Sequence, residues 1–184
     1  MANKHKVTGI ILAGGKSSRM GFDKGLAQFK GKKMIEHVLD VLQEVTNEII
    51  IVANSDSYNF LGYPVYRDLV KEVGPLGGIY TGLHYSSTQK NIVVACDMPQ
   101  LSTKVLNSLL VNDGFEIVLG KLGGRLEPLC AYYEKAIQLS LKDLIDSNSL
   151  SMQRAVKSFR TKVVEIDESE SGSLKNINTP QDLE

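Results

Sequence analysis

Apolar runs of strand length alternate with segments of helical periodicity along most of this chain, and that alternation limits the folds it can adopt. Residues 7–12 form an apolar run typical of a buried strand. Apolar residues then recur at helical spacing from Ile35 to Val45, and residues 48–53 are again strand-like. Strands that alternate with helices predict βαβ units and a mainly parallel sheet.

The same alternation continues toward the C-terminus. Further helices are predicted over residues 76–85, 103–111, 135–145 and 152–159, and further strands over 91–95, 115–119, 128–133 and 162–166. Residues 167–172 are acidic and rich in serine, so we expect an exposed connection there. The final NTPQDLE predicts a helix start with Pro180 in its first turn. Because no repeat or long linker divides the sequence, we expect one domain over residues 1–184.

Charge and cysteine content restrict the partners of the chain. Lys plus Arg and Asp plus Glu number 21 each, so no general field favours nucleic acid or an anionic membrane. Cys96 and Cys130 lie far apart and lack CxxC spacing, which predicts buried free thiols and neither a disulfide framework nor a zinc site. Residues 1–6 are polar, and no run nears the ~20 apolar residues that span a bilayer. We therefore expect a cytoplasmic protein without a membrane partner.

A glycine-rich basic loop, LAGGKSSRMGFDK, begins where the first predicted strand ends. It is not a P-loop, because that motif needs glycine where this chain has Ile10, and no register gives the GxGxxG of a dinucleotide fingerprint. Glycines still let backbone N–H groups approach phosphate oxygens, and Lys16, Arg19 and Lys24 supply positive charge. The loop thus indicates phosphate binding, with a glycine-rich turn carrying solvated basic residues as the alternative.

Two other polar segments follow predicted strands and should lie at the same edge of the sheet. In ACDMP, Asp97 follows an apolar strand, where a carboxylate can hold Mg²⁺, although an Asp that opens a turn before Pro99 is equally common. Asp68 follows the short strand in YPVYRD and precedes GPLGG, residues 74–78. This glycine-rich edge could approach a base or a sugar, but a plain turn between strand and helix explains it equally well.

The segments LAGGKSSRMGFDK, GPLGG, CDMP and NINTP resemble, in their order and spacing, the motifs of the molybdenum cofactor guanylyltransferases. These enzymes belong to the wider nucleotidyltransferase group of the glycosyltransferase-A fold. The resemblance implies a three-layer α/β/α fold with a mainly parallel central sheet, of the Rossmann-like nucleotide-diphospho-sugar transferase type. It also implies transfer of GMP from GTP to the terminal phosphate of molybdopterin, which releases pyrophosphate and requires Mg²⁺.

The resemblance further implies the partners and the site residues. GTP and the molybdopterin cofactor would be the substrates, and other cofactor-biosynthesis or molybdoenzyme-delivery proteins would be the protein partners. The nucleotide would be lined by Leu12, Ala13, Gly14, Gly15 and Gly78. Arg19 and Lys24 would hold the phosphates, Asp68 would lie near the nucleoside, and Asp97 would bind the metal, so that Arg19, Lys24 and Asp97 are the catalytic candidates. Asn176 and Asn178 would act near the metal or the pterin. At the end of the second strand, this chain has Val52 where some members of the family have a polar residue.

The chemistry of the acceptor fits this set of residues. A phosphate monoester has a second pKa near ~6, so it is largely dianionic at neutral pH and needs no protein general base. The enzyme would align two polyanions and neutralise the charge that develops on the leaving pyrophosphate. Lysine, arginine, backbone N–H groups and Mg²⁺ suit that task.

Two other functions compete with guanylyl transfer. One is cytidylyl transfer to the same cofactor, or nucleotidyl transfer to a sugar phosphate; relatives of these kinds often have LAAG, so Gly14 favours guanine by resemblance. The other is a non-catalytic nucleotide- or cofactor-binding module. Retention of Lys24, Asp97 and Asn178 argues against that module, because it has no need of metal and phosphate ligands together.

The remaining polar residues favour structural roles. His37 and His84 lack a carboxylate or cysteine at ligand spacing, so we expect them on helix surfaces or in packing contacts. Gly123 and Gly124 predict a hairpin turn that carries Arg125 toward the mouth of the site, with an exposed loop arginine as the alternative. Arg125 and Glu127 are the weakest candidates for substrate contacts.

Overall fold

A seven-stranded sheet forms the centre of the molecule, which a computed structural model describes over residues 6–14, 23–111 and 114–183. The strands, in chain order, are β1 Val7–Leu12, β2 Gln28–Phe29, β3 Lys32–Lys33, β4 Glu48–Val52, β5 Val65–Tyr66, β6 Lys90–Ala95, β7 Ile117–Leu122, β8 Arg125–Glu134 and β9 Thr161–Glu165. Strands β2 and β3 pair with each other as a separate hairpin. The other seven form the central sheet.

The central sheet is mainly parallel, as the sequence predicts. Its order is β5-β4-β1-β6-β8-β7-β9, and β8 runs antiparallel to both β6 and β7. Strand β1 lies between β4 and β6 with Leu12 beside Val52 and Ala95, so three parallel strands end at one level. Every residue of β1 is buried, because layers cover both faces of the sheet, and this explains its apolar sequence.

Helices cover both faces of the sheet and complete the predicted three layers. They are α1 Met34–Val45, α2 Pro75–Tyr85, α3 Thr103–Leu110, α4 Gln138–Asp146 and α5 Met152–Lys157. On one face, Ile11 of β1 belongs to a core that includes buried residues of α1 and α3. On the other face, Ile10 belongs to a core that includes buried residues of α2, α4 and α5. The alternation of Ile10 and Ile11 follows from the two-residue period of a strand.

Some element boundaries differ from the prediction. Strand β7 begins at Ile117, two residues later than predicted. It ends at Leu122, three residues later than predicted, and β8 begins at Arg125, three residues earlier, because the two strands pair up to the hairpin turn at Gly123 and Gly124. Both turn glycines have positive φ, which confirms the predicted hairpin. The helix expected from residue 135 starts with a 3-10 turn, Lys135–Ile137, before α4.

The C-terminal segment is organised into two short turns. The serine-rich connection is largely exposed, as predicted, and forms a 3-10 turn, Glu168–Leu174, which buries Leu174 in the core. The expected helix start at Pro180 is a 3-10 turn, Pro180–Leu183. Within the described ranges, no helix is long and apolar enough to cross a membrane. That residues 1–184 form one domain stays a prediction.

Helix α2 packs closely against β1 because it has a glycine at the contact. An ideal Cβ on Gly82 would lie 2.4 Å from Cγ2 of Ile10. We expect Gly82→Ala to lower the free energy of unfolding by about 1–2 kcal/mol, since overpacking outweighs the gain in helix propensity. Urea unfolding measures the effect. Gly172→Ala is the control, because its Cβ would be 3.4 Å from the flexible side chain of Gln100, and equal stability of the two variants would contradict the prediction.

Candidate active site

The carboxyl ends of β1, β4 and β6 form the floor of a cavity. The backbone N–H of Ala13 donates to the carbonyl of Val52 at 2.9 Å, and that of Cys96 donates to the carbonyl of Leu12 at 3.1 Å. The loops that follow the three strands therefore leave the sheet at one level. A cavity of about 1010 Å³ opens above them. Ligands of open α/β sheets bind at this edge, so the cavity is the candidate active site.

Most of the predicted site residues that the structure describes line this cavity. They are Leu12, Ala13, Gly14, Lys24, Asp68, Gly78, Asp97 and Asn176. Asn178 joins them through Lys24, as described below. Gly15 and Arg19, as well as Lys16 of the same loop, lie outside the described residues. The geometry thus brings the candidates together, and their individual roles stay predictions.

Lys24 connects the first loop with the loop after β6 and with the C-terminal segment. Its Nζ lies 3.4 Å from Oδ2 of Asp97 and donates to Oδ1 of Asn178 at 2.7 Å. The backbone N–H of Ile177 donates to the carbonyl of Asp97 at 2.9 Å and attaches NINTP to the same loop. The fold therefore assembles a cation, a carboxylate and an amide from both ends of the chain at one point.

Asp97 has the environment of a metal-binding carboxylate. Its side chain is only 14% exposed, and its Oδ1 is buried without a hydrogen-bond partner among the described residues. Burial raises the pKa of Asp97, and the positive charge of Lys24 opposes that rise. A buried carboxylate oxygen that lacks a protein partner fits a hard cation such as Mg²⁺.

The structure supplies few protein ligands for such a cation. Within the described segments, no group of three or more His, Cys, Asp or Glu side chains could hold a metal ion. Mg²⁺ commonly binds to one or two carboxylates and keeps waters and substrate phosphates as its other ligands. Asp97 at the floor of the cavity therefore fits a metal ion that arrives with a phosphorylated substrate.

Asp68 is held by a residue that the sequence interpretation missed. The side-chain amide of Asn54 donates to Oδ2 of Asp68 at 2.7 Å, while Oδ1 of Asn54 accepts from the backbone N–H of Asp68 at 3.1 Å. The remaining Oδ1 of Asp68 is buried without a partner in the described part of the chain and is available to a ligand donor. The signal for Asn54 is its position two residues beyond Val52, whose side chain is itself buried at the cavity.

The GPLGG segment is both a strand-to-helix connection and a wall of the cavity. Gly74 has φ of 65° and ψ of −153°, a conformation that is essentially restricted to glycine, and Pro75 begins α2. Gly78 lies one turn further along, where an ideal Cβ would be 3.1 Å from Cδ2 of Leu12. Gly74 therefore fits the plain turn between strand and helix, while Gly78 packs against Leu12 and also lines the cavity.

Arg125 and Glu127 lie on β8 beside the site. Nε of Arg125 donates to Oε1 of Glu127 at 2.9 Å; Arg125 is exposed and Glu127 is buried. Burial raises the pKa of Glu127, Arg125 opposes this, and the negative charge of Asp97 adds to the rise. The charge of Asp97 thus acts on Glu127, and Leu129 of the same strand lines the cavity. Substrate contact by either Arg125 or Glu127 stays a prediction.

His37, His84 and the two cysteines have the predicted structural roles. Nε2 of His37 lies 2.7 Å from the carbonyl of Phe29, and Nδ1 of His84 lies 3.0 Å from the amide nitrogen of Gln138. Cys96 and Cys130 are buried free thiols. Burial raises the pKa of Cys130 to about 12 and raises that of Cys96 as well, so neither is a thiolate at neutral pH.

The fold and the site together define a nucleotidyltransferase. A family model described as the MobA-like NTP transferase domain matches residues 9–166. The chain therefore belongs to the MobA-like NTP transferase family.

Relatives and solved structures agree with this family over nearly the whole chain. A protein of Flavobacterium johnsoniae named probable molybdenum cofactor guanylyltransferase is 37% identical over 179 residues, 96% of this chain and 94% of that protein. A crystal structure of a protein from Aquifex aeolicus VF5 is 31% identical, with a TM-score of 0.81 over 94% of this chain and 93% of that one. Molybdopterin-guanine dinucleotide biosynthesis protein A from Archaeoglobus fulgidus is 26% identical, with a TM-score of 0.80 over 96% and 94% of the two chains.

Proposed function

We propose that this protein transfers GMP from GTP to the terminal phosphate of the molybdopterin cofactor and forms molybdopterin guanine dinucleotide and pyrophosphate. The observation that carries the proposal is the convergence of Lys24, Asp97 and Asn178 at the strand ends of a MobA-like fold. The name of the relative from Flavobacterium johnsoniae supports the choice of nucleotide and acceptor. Mg²⁺ is the expected metal, and cofactor-biosynthesis or delivery proteins are the expected partners of a cytoplasmic enzyme.

Different residues of the cavity would bind different parts of GTP. Asp68 would accept a hydrogen bond from the nucleoside through Oδ1, which the described residues leave without a partner. Residues 12–14 would lie along the nucleotide at the end of β1, and Lys24 would hold its phosphates. These contacts would bring the α-phosphate close to Asp97, the residue that would hold Mg²⁺.

The reaction is a substitution at the α-phosphorus of GTP. An oxygen of the terminal phosphate of molybdopterin forms a bond to that phosphorus, and the bond from phosphorus to the bridging oxygen of the β-phosphate breaks. The electron pair leaves with pyrophosphate, so positive charge must stabilise the leaving group. Lys24 provides it from the protein, and Mg²⁺ held by Asp97 would supply Lewis-acid stabilisation when bound. A dianionic phosphate nucleophile needs no general base.

Gly14 is consistent with a purine nucleotide at this position. An ideal Cβ on Gly14 would have no atom of the described chain within 4 Å, so no packing contact with those residues requires glycine. Since Gly14 lines the cavity, the absent side chain leaves more room for the ligand. The resemblance, in which LAGG replaces LAAG, favours GTP over CTP, and the alternatives of a cytidylyltransferase or a sugar-phosphate nucleotidyltransferase become outcomes of the test below.

The experiment offers the purified protein both nucleotides at once. Molybdopterin cofactor, Mg²⁺ and equal concentrations of GTP and CTP are added, and the products are identified by mass spectrometry. We expect a GMP adduct of the cofactor, equimolar pyrophosphate, and loss of both when the metal is chelated. A CMP adduct would keep the mechanism and overturn the choice of base. Bound GTP without any adduct, from folded protein, would support a non-catalytic module or another acceptor such as a sugar phosphate.

A further inference from the structure

The turn that carries Lys24 is attached to a buried tyrosine outside the cavity wall. Tyr58 lies in a 3-10 turn after β4, Asp56–Leu61, and is fully buried in the core on the side of α1 and α3. Its hydroxyl donates a hydrogen bond to Oδ1 of Asp23, the residue before Lys24. The same Oδ1 accepts from the backbone N–H of Gly25 at 3.2 Å and caps the 3-10 turn Lys24–Leu26.

Gly25 fits against the same tyrosine and against the loop after β6. An ideal Cβ on Gly25 would lie 2.6 Å from Oη of Tyr58 and 3.1 Å from Sγ of Cys96. Because Gly25 follows Lys24 and Cys96 precedes Asp97, these neighbours pack where the two charged residues meet. The turn that lies against Tyr58 therefore also carries the lysine whose Nζ is 3.4 Å from Oδ2 of Asp97.

The tyrosine hydroxyl is suited to this structural task. Burial, together with the negative charge of Asp23 and its hydrogen bond, raises the pKa of Tyr58, so the hydroxyl stays protonated at neutral pH and acts as a donor. Asp23 is half-buried and lines the cavity, whereas Tyr58 is fully buried and reaches the site through Asp23.

We propose that Tyr58 and Asp23 are positioning residues that hold Lys24 in place against Asp97 for binding of the nucleoside triphosphate. The inference rests on the proposed function, since it assigns Lys24 to the phosphates. It can be tested separately from the proposed function, because it concerns the attachment of the turn that carries Lys24 and not the identity of the acceptor. Loss of the hydroxyl would release the turn, and Lys24 would meet the triphosphate less often in the productive geometry.

The first test is Tyr58→Phe, which removes the hydroxyl and keeps the ring. We expect the Kd for GTP, measured by calorimetry without acceptor, and the KM for GTP each to rise about fivefold to tenfold. Tyr133→Phe is the matched control, because it removes an equally buried hydroxyl that donates to the carbonyl of Pro128 at 2.7 Å. We expect the control to bind GTP with the wild-type Kd even where its thermal stability falls by a similar amount.

Variants of Asp23 separate positioning from direct contact with the substrate. Asp23→Asn keeps an acceptor oxygen for both Tyr58 and Gly25, so its Kd should stay within about twofold of wild type. Asp23→Ala removes both hydrogen bonds and should match or exceed the effect of Tyr58→Phe. The double variant Tyr58→Phe with Asp23→Ala should be no worse than Asp23→Ala alone, because the two residues act as one unit.

Three results would overturn the inference. The first is a wild-type Kd for GTP in folded Tyr58→Phe, and the second is a wild-type Kd for GTP in Asp23→Ala. The third is an Asp23→Asn variant that binds GTP as weakly as Asp23→Ala, which would mean that the charge of Asp23 itself acts on the substrate or the metal. If Tyr58→Phe does not fold, the Asp23 pair decides the question. Failure of the proposed function would give a different result: the variants would change the Kd for GTP as expected, but the wild-type protein would form no guanylyl adduct. Wild-type protein that binds no GTP would overturn both.

Discussion

Replacing Asp97 by asparagine will reduce turnover roughly 1000-fold and leave the protein folded, in line with the loss of one preorganised charge contact to the transition state. The amide keeps the size of the carboxylate and loses the negative charge that would hold Mg²⁺. Because burial raises the pKa of Asp97, its ionised form is costly in the folded protein, so neutralisation should not lower the free energy of unfolding. Steady-state formation of the guanylyl adduct measures the activity, and circular dichroism with thermal unfolding measures the fold.

The control for this variant is another aspartate that pairs with a lysine. Oδ2 of Asp40 accepts from Nζ of Lys32 at 2.6 Å, and both side chains are about half exposed. Asp40→Asn should therefore have wild-type turnover, because an exposed ion pair contributes little. Near-normal turnover by folded Asp97→Asn would contradict the prediction and show that the reaction does not need a metal ion held by Asp97.

The elements that the sequence predicts best are those whose pattern is local. Residues 7–12 are predicted as a strand and are β1, and the helical spacing from Ile35 to Val45 corresponds to α1. The parallel sheet follows from the alternation, and the strand-end rule places Lys24, Asp68 and Asp97 at one cavity. The resemblance to the guanylyltransferases adds Asn176 and Asn178, which no periodicity would single out.

What the sequence does not reveal is long-range pairing. The contact of Asn54 with Asp68 exists because β4 and β5 are neighbours in the sheet, and the sequence around Asn54 does not predict that these two strands pair. Similarly, nothing in the sequence distinguishes Tyr58 from the other aromatic residues, and only the fold shows that its hydroxyl contacts Asp23. Specific hydrogen bonds between distant segments depend on the register of the sheet, which the alternation of strands and helices does not fix.

The C-terminal segment shows the same limit. A short sequence that starts with Pro180 satisfies the rules for a helix start, but only a 3-10 turn forms. The segment is held instead by Ile177, which is buried with Ala27, Phe29 and Met34 in a small core. This packing brings Asn178 to Lys24, and it depends on residues at the opposite end of the chain.

Replacing Lys24 by alanine should weaken GTP binding roughly 100-fold, since it removes a charge-assisted contact between Lys24 and the phosphates, and such contacts across a binding interface contribute several kcal/mol. The side chain of Lys24 is 22% exposed, and its Nζ contacts both Asp97 and Asn178. If Lys24 holds the β- and γ-phosphates, the Kd for GTP should rise far more than the Kd for GMP. Calorimetry with both nucleotides makes that comparison, and Lys32→Ala, at an exposed ion pair, is the control. An unchanged Kd for GTP, or an equal loss for GMP, would place the triphosphate elsewhere and leave Lys24 as a structural partner of Asp97.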